Sequence, residues 1–349
     1  MIYRTLRLDE MPAMNRLYNR VFAEWLLRPA RLIKEEPDIY GPSNLRHCWG
    51  AFDEKRLVAH VAARPARVAM EGATLLWASY GNVMTDPKYR GKGIASRLNR
   101  LAWGRLKAEG VDGVYISGRR GLYRRMGAVP CGDYEWYVVR PGDVAAGSTT
   151  LTVRSCGPND AETLARLHRP DRTCFLRDAF DYRGSLTTGR SNLRPARVWL
   201  VTESETPVAY VIAAPEWSKA RRPRGPGDVV DYAGARGAVV RALPEIMRRE
   251  GWKAIGITVA GGDAELRGLL RGAGLRGKPT DVHGTQLLLN PARLVRRLKP
   301  YFERRLGKDA ARRLRFPQDR SKLTRLLLGP TPRTAALPLP FPPLGLNWM

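Results

Sequence analysis

Short apolar runs in the first third of the chain alternate and then give way to helical spacing, which predicts an α/β unit. Ile2–Leu6 alternates. Met11, Met14, Leu17, Tyr18 and Phe22 then recur at helical spacing along Asp9–Phe22, so a strand is followed by a helix. His47–Phe52 and Leu57–Val68 read as two strands joined by the turn Asp53–Lys55, and Thr74–Thr85 as a further strand. Asp86–Lys92 carries Pro and Gly and reads as a loop. Ile94–Glu109 places Leu98, Leu101, Ala102 and Leu106 on one helical face, with Gly110 as its C-cap. A short buried-type strand at Val114–Ser117, a brief helix at Leu122–Met126 and a strand at Glu135–Val139 are expected to close the unit.

After the Gly-containing linker Arg140–Ser148 the order begins again. Leu151–Arg154 predicts a strand, Asp160–Leu167 a helix start, and Arg197–Thr202 with Val208–Ala214 a hairpin-like pair. A strand at Val229–Tyr232, a helix at Ala238–Glu250, a strand at Ala254–Val259, a helix at Ala264–Arg271 and a last strand at Thr285–Leu289 follow. Ala108–Ile116 aligns with Arg249–Ile257, and Arg125–Ala128 with Gly272–Leu275, each pair at the same point of the order. The pattern therefore predicts an internal duplication: units over residues 1–145 and 150–290, each a mixed twisted sheet flanked by helices. Residues 291–349 form a tail. Two basic amphipathic helical segments, Pro291–Arg305 and Ala310–Leu328, precede a Pro- and Leu-rich strip, Pro330–Met349, expected to be extended and docked by its apolar side chains.

A length of 349 residues suits two domains and a tail. No run of about 18 uncharged apolar residues occurs, so no membrane span is expected. Met1–Leu6 has no apolar h-region before Asp9 and Glu10, and Cys48, Cys131, Cys156 and Cys174 form no CxxC pair; together these point to a cytoplasmic chain with free thiols. His47, His60, His168 and His283 do not cluster, so no metal site is expected. The net charge of +27 is spread along the chain, with concentrations at Lys219–Arg224 and Arg293–Arg325. Dispersed charge favours steering of a polyanionic co-substrate, or an arginine-rich composition, over direct nucleic-acid binding.

The segment from Val83 to Ala95 carries the chemistry. It follows an apolar strand and opens an amphipathic helix, whose first amides are unpaired and form an anion site. Gly91 and Gly93 let a diphosphate approach the backbone, Arg90 and Lys92 add positive charge, and small Ala95 permits close packing. Walker and Rossmann glycine patterns are absent. R-x-x-G-x-A at Arg90, Gly93 and Ala95 resembles motif A of the GNAT superfamily of acyltransferases.

That resemblance implies that acetyl-CoA is the co-substrate. Arg90, Gly91, Lys92, Gly93, Ile94 and Ala95 would hold its diphosphate. Val83, Met84 and Thr85 would pair with the pantetheine arm along a splayed strand edge, with a bulge near Tyr80–Asn82 where Gly81 permits unusual angles. Gly121–Gly127 resembles the Tyr-bearing block that follows motif A, which makes Tyr123 the general acid at the leaving sulfur. The base is less defined. Glu35, Glu36 and Asp38 are candidates by location. The order of two GNAT-like units and an extension also resembles the enhanced-intracellular-survival aminoglycoside acetyltransferases, in which the terminal carboxylate acts as base; here that is Met349. The stretch after Leu289 is shorter than that group's third domain. Tyr232–Ala238, at the matching turn of the second unit, lacks the motif, so this unit is expected to wall the acceptor cleft rather than bind acyl-CoA. The reading is direct transfer to an amine of a small molecule or peptide in a ternary complex, since no Cys or Ser nucleophile with a base partner is evident. A non-catalytic acyl-CoA sensor or nucleic-acid-binding protein is the alternative. The oligomeric state is left open.

Overall fold

The computed structural model describes residues 1–25, 28–145, 150–169, 171–191, 193–216, 225–330 and 334–347. Lys219–Arg224, Trp348 and Met349 lie outside them. The first half runs β1 (Ile2–Thr5), α1 (Met11–Val21), α2 (Leu32–Glu35), α3 (Pro37–Tyr40), β2 (Cys48–Asp53), β3 (Arg56–Met70), β4 (Ala73–Thr85), α4 (Ile94–Ala108), β5 (Gly113–Ile116), α5 (Gly121–Arg125) and β6 (Tyr134–Val139). The second half runs β7 (Leu151–Ser155), α6 (Ala161–His168), β8 (Thr173–Phe175), α7 (Ala179–Thr188), the short pair β9 (Arg190–Ser191) and β10 (Arg194–Pro195), β11 (Arg197–Glu203), β12 (Thr206–Pro215), β13 (Gly227–Gly234), α8 (Arg236–Glu250), β14 (Ile255–Ala260), α9 (Ala264–Gly272), β15 (Lys278–Thr280) and β16 (Thr285–Leu288). Four short helices follow: α10 (Pro291–Arg297), α11 (Lys299–Leu306), α12 (Lys308–Arg313) and α13 (Arg320–Leu328).

Among the described residues these strands build two seven-stranded mixed sheets. The first has the order β1-β2-β3-β4-β5-β16, with β8 added beside β3; the second has β15-β6-β14-β13-β12-β11-β7. In each, a central antiparallel run meets one parallel pair, β4 with β5 and β13 with β14. Helix α4 buries Ile94, Leu98, Ala102 and Leu106 against Val58, Ala78 and Tyr80 of the first sheet. Helix α8 buries Val239, Leu243 and Ile246 against Val211 and Ile257 of the second. The duplicated order read from the sequence is therefore a duplicated α/β architecture.

The strand Glu135–Val139 does not close the first unit. It lies in the second sheet as β6, antiparallel to β14, while β16 crosses back to pair with β5 of the first. The two halves thus exchange their last strands. Packing explains the exchange: Tyr137 and Val139 of β6 enter the second core, whereas Leu287 of β16 and the following Leu289 enter the first. The basic tail is also more broken than its periodicity predicts. Pro300 falls in the first turn of α11 and lacks an amide donor, and Gly307, at φ +81°, separates α11 from α12. Residues 334–347 are docked, as the apolar strip implied. Phe341 packs on Trp77 with ring centroids 4.9 Å apart and on Phe175 at 6.2 Å. Leu339, Phe341 and Leu344 are buried, and each such side chain contributes about 1.5–3 kcal/mol.

Three histidines are buried, and two of them, His60 and His168, are held far from their ordinary titration. Burial holds the His60 imidazole down at about 3 and that of His168 at about 4. Both therefore fold neutral, while in the unfolded chain they titrate near 6.5. Their contribution is complete above pH 6.5 and is lost as pH falls toward the folded values, by about 2 kcal/mol for each at pH 5. The urea midpoint is expected to be clearly lower at pH 5 than at pH 7.5; equal midpoints would show that neither histidine is held neutral.

Candidate acyl-donor and transfer site

The site is organised by an irregularity in β4. Ala62 of β3 faces Gly81, and His60, two residues back, faces Met84, three residues on, so β4 carries one extra residue. This is the bulge expected near Tyr80–Asn82. The left-handed backbone falls on Asn82, at φ +51°, rather than on Gly81; asparagine is among the side chains that tolerate it. Pairing of β4 with β5 stops at Tyr80 opposite Ile116, closed by the Ser117 amide donating to the Tyr80 carbonyl at 3.1 Å. Beyond that point Met84 and Thr85 pair only with His60 and Ala59 of β3 among the described residues. Apart from the Thr85 carbonyl, which accepts from Arg90, the edge of Val83–Thr85 that faces away from β3 has no strand partner among the described residues.

The strand delivers the chain to a rigid loop. Asp86 is buried, accepts from the Lys88 amide at 3.1 Å, and pairs with Arg20 at 2.9 Å and Arg56 at 2.8 Å. Burial alone would raise its carboxyl, but the Lys88 amide and Arg56 hold it below its ordinary value. In the sequence Asp86 is only the first residue of a Pro- and Gly-bearing loop; its two arginine partners come from α1 and β3. Gly91 and Gly93 then take left-handed angles, φ +80° and +71°, and a Cβ at either would meet nothing within 4 Å. The space over the loop is open. The first amide to close a helical bond is that of Arg97, donating to the Gly93 carbonyl at 3.1 Å. The amides of Ile94, Ala95 and Ser96 point from the helix start without a backbone acceptor. Arg90 and Lys92 are exposed at this mouth. Arg90 donates to the Thr85 carbonyl at 3.4 Å, and Lys92 Nζ stands 5.2 Å from the Tyr89 ring.

Across the opening, α5 presents Tyr123, whose ring is buried at 5% exposure. Burial pushes its phenol up to about 12, with Arg120 opposing slightly. Its hydroxyl has no hydrogen-bond partner among the described residues and remains protonated at neutral pH. A cavity of about 1530 Å³ joins Gly81, Asn82, Val83 and Tyr123 to Asp231 and Tyr232 of the second sheet, larger than a typical small-ligand pocket of about 300–1,000 Å³. Of the residues predicted for the site, Val83 and Tyr123 line this cavity; Met84, Thr85 and the loop residues Arg90–Ala95 lie outside its lining.

The candidate bases fare differently. Glu35 pairs with Arg28, and Asp38 with Arg64 at 3.0 Å. Glu36 accepts from the Leu193 amide at 2.8 Å, and burial pushes its carboxyl up to about 8. None of the three lines the cavity, and none is a freely solvated surface group. Met349 is outside the described residues. The tail up to Asn347 is placed, however: Ser79 of β4 donates to the Asn347 carbonyl, and Arg64 to that of Leu346 at 3.1 Å. Ser79 lies two residues before Gly81. Sequence reasoning missed Ser79, Arg64 and Arg177, which have no motif around them. In the second unit, Arg236 opens α8 and pairs with Asp171 at 2.9 Å and Asp263 at 2.8 Å. A side chain and two carboxylates thus stand at the turn that lacks the motif.

Residues 2–131 match the family model described as an acetyltransferase (GNAT) domain. No curated protein matches the chain. Among solved structures, a conserved Enterococcus faecalis V583 protein described as a probable N-acyltransferase superposes with a TM-score of 0.63 at 18% identity, covering 84% of this chain and 74% of that one. Eis1 from Mycobacterium abscessus gives 0.59 at 15% identity, over 84% and 75%. Saccharomyces cerevisiae N-myristoyltransferase, solved with bound myristoyl-CoA, gives 0.52 at 9% identity, over 82% and 77%. Among the described residues no helix is long and apolar enough to cross a membrane. The fold likeness runs through most of the chain, while the match to the acetyltransferase (GNAT) domain model is confined to residues 2–131.

Proposed function

We propose that the protein is an N-acetyltransferase that moves the acetyl group of acetyl-CoA directly to an amine of a small molecule or peptide. The observation that supports this reading is a cavity lined by both Val83, where β4 has parted from β5, and a protonated Tyr123 with no hydrogen-bond partner among the described residues, with an exposed amide loop following the same strand. The loop amides of Ile94–Ser96, with Arg90 and Lys92, suit a diphosphate. The edge of Val83–Thr85 suits the amides of the pantetheine arm. The amine nitrogen forms a bond to the thioester carbonyl carbon, the carbon–sulfur bond breaks, and the Tyr123 hydroxyl protonates the departing thiolate. A base takes the proton released by the amine.

The Met349 carboxylate is kept as that base. Asn347 is tied beside Ser79, and two further residues reach about 7 Å, similar to the two-residue step from Ser79 to Gly81, about 7 Å along a strand. Removing Trp348 and Met349 is expected to lower turnover at least 10-fold with unchanged acetyl-CoA affinity; undiminished turnover would dismiss Met349. The reading as a whole is tested by thiol release from acetyl-CoA across a panel of amines. Amine-dependent release supports it. Hydrolysis at one rate with every amine would favour a non-catalytic acyl-CoA binder.

A further inference from the structure

The second sheet repeats the irregularity of the donor strand. Ile212 of β12 faces Asp231 and Ala213 faces Val229, so Val230 is an extra residue in β13, as in β4. Parallel pairing of β13 with β14 stops at Val229 opposite Ile257, whereas β14 continues to Ala260 against β6. The two strands therefore part, as β4 and β5 part after Tyr80. Both openings line the same cavity, and at the second the chain's own residues Pro340 and Pro342–Gly345 line it as well. Pro340 packs on Gly262, just beyond β14, where a Cβ would overlap it. The Pro342 carbonyl accepts from Tyr134 of β6 at 3.3 Å. Gly345 lies against the Asp231 carboxylate of β13, at φ +52° and with no room for a Cβ.

Arg177 fastens this crossing. Its side chain is 2% exposed, and its charge is met by Asp231, which also accepts from the Tyr210 hydroxyl at 3.0 Å. A buried guanidinium is tolerated only when paired and hydrogen-bonded, and the bonds from Nε and Nη2 go to the tail. Nε and Nη2 reach Asn347 Oδ1 at 3.0 and 2.8 Å, and Nη2 reaches the Leu344 carbonyl at 3.4 Å. From the first unit, Arg64 and Ser79 hold the carbonyls of Leu346 and Asn347. The turn Gly345–Asn347 is thus gripped by both units at the margin of the donor strand.

We propose that the second unit's copy of the donor slot is a dock for residues 340–347, and that Arg177 is a positioning residue that sets Asn347 against Ser79 for acyl transfer. The functional half rests on the acetyltransferase reading. This gives the second unit a part in the reaction beyond walling a cleft: its slot, unable to present a phosphate loop at Arg236, holds the tail instead.

The test uses the full chain with Asn347→Ala and Arg177→Met. Leu339, Phe341 and Leu344 still anchor the tail in the alanine variant, so folding is retained. Turnover is expected to fall at least 10-fold in each, with KM for acetyl-CoA unchanged, and the double variant is expected to be no slower than the slower single one. Hydrogen exchange at the Asn347 amide, which donates to the Leu344 carbonyl at 2.7 Å, is expected to quicken. Wild-type turnover in Asn347→Ala would overturn the positioning role, because a purely architectural contact would leave kcat per folded molecule untouched. If the wild type released no thiol with any amine, the acetyltransferase reading would fail. The dock would still be judged by exchange, and an Asn347 amide equally protected in Arg177→Met would overturn it.

Discussion

Replacing Tyr123 with Phe is expected to lower turnover by about 100-fold or more, the scale of a lost general acid, while acetyl-CoA binds as before. The ring packs in the first core beside Ile116 and Ala128, and Phe preserves that volume, so the change is confined to one oxygen. That oxygen is suited to proton donation. Burial holds its pKa at about 12, so the phenol stays protonated through neutral and mildly basic pH, and no described residue competes for it. Loss of the acid should appear in kcat and leave calorimetric affinity for acetyl-CoA untouched, since the proposed donor contacts lie on β4 and the loop before α4. A further consequence concerns pH. With the phenol at about 12, the wild-type rate should show no basic limb from Tyr123 below about pH 10. Equal turnover of the two proteins would remove Tyr123 from the mechanism and leave it as packing.

How much of this was legible in the sequence can be judged from particular residues. The switch from alternation to helical spacing around Asp86–Gly93 located β4, the loop and α4 to within a residue or two, because amphipathic faces are local properties. The bulge was legible from Gly81, although the strained angle went to Asn82, which shares the needed tolerance. Sheet partners were not legible. Glu135–Val139 and Thr285–Leu289 are short apolar strands that fit either sheet by pattern, and only the destinations of Tyr137, Val139, Leu287 and Leu289 decide between them. Charged partners were equally hidden. Arg177 and Arg64 are two among 60 lysines and arginines, and nothing near them in the chain sets them apart. Their meaning comes from Asn347, 170 residues beyond Arg177, and from Leu346, 282 beyond Arg64. Asp86 shows the same limit at shorter range, since Arg20 and Arg56 meet it only after α1 and β3 have packed. Local chemistry marked the glycine-bearing loop before α4; the tertiary fold alone revealed what surrounds it.

A carboxylate placed in that loop should abolish donor binding without unfolding the protein. Gly93 is the N-cap of α4, at φ +71° and ψ +4°, and a Cβ there meets nothing within 4 Å. Gly93→Ala therefore fits sterically and bears mainly the left-handed backbone penalty, about 1–2 kcal/mol. Gly93→Asp carries less of that penalty, because aspartate visits this region more readily, and an acidic group at a helix start is stabilising by about 0.3–1 kcal/mol. The aspartate protein should melt within a few degrees of wild type. Its carboxylate would nevertheless sit where the amides of Ile94–Ser96 await an anion, competing for those donors and repelling an incoming diphosphate. Two like charges 4 Å apart near a surface repel by about 4 kcal/mol before salt screening. A loss of at least 100-fold in acetyl-CoA affinity, about 2.7 kcal/mol, is therefore expected, with the alanine variant much closer to wild type. Calorimetry on the three proteins separates charge from backbone strain. An equal loss in both variants would assign the effect to strain, and undiminished affinity in Gly93→Asp would show that the diphosphate is held elsewhere.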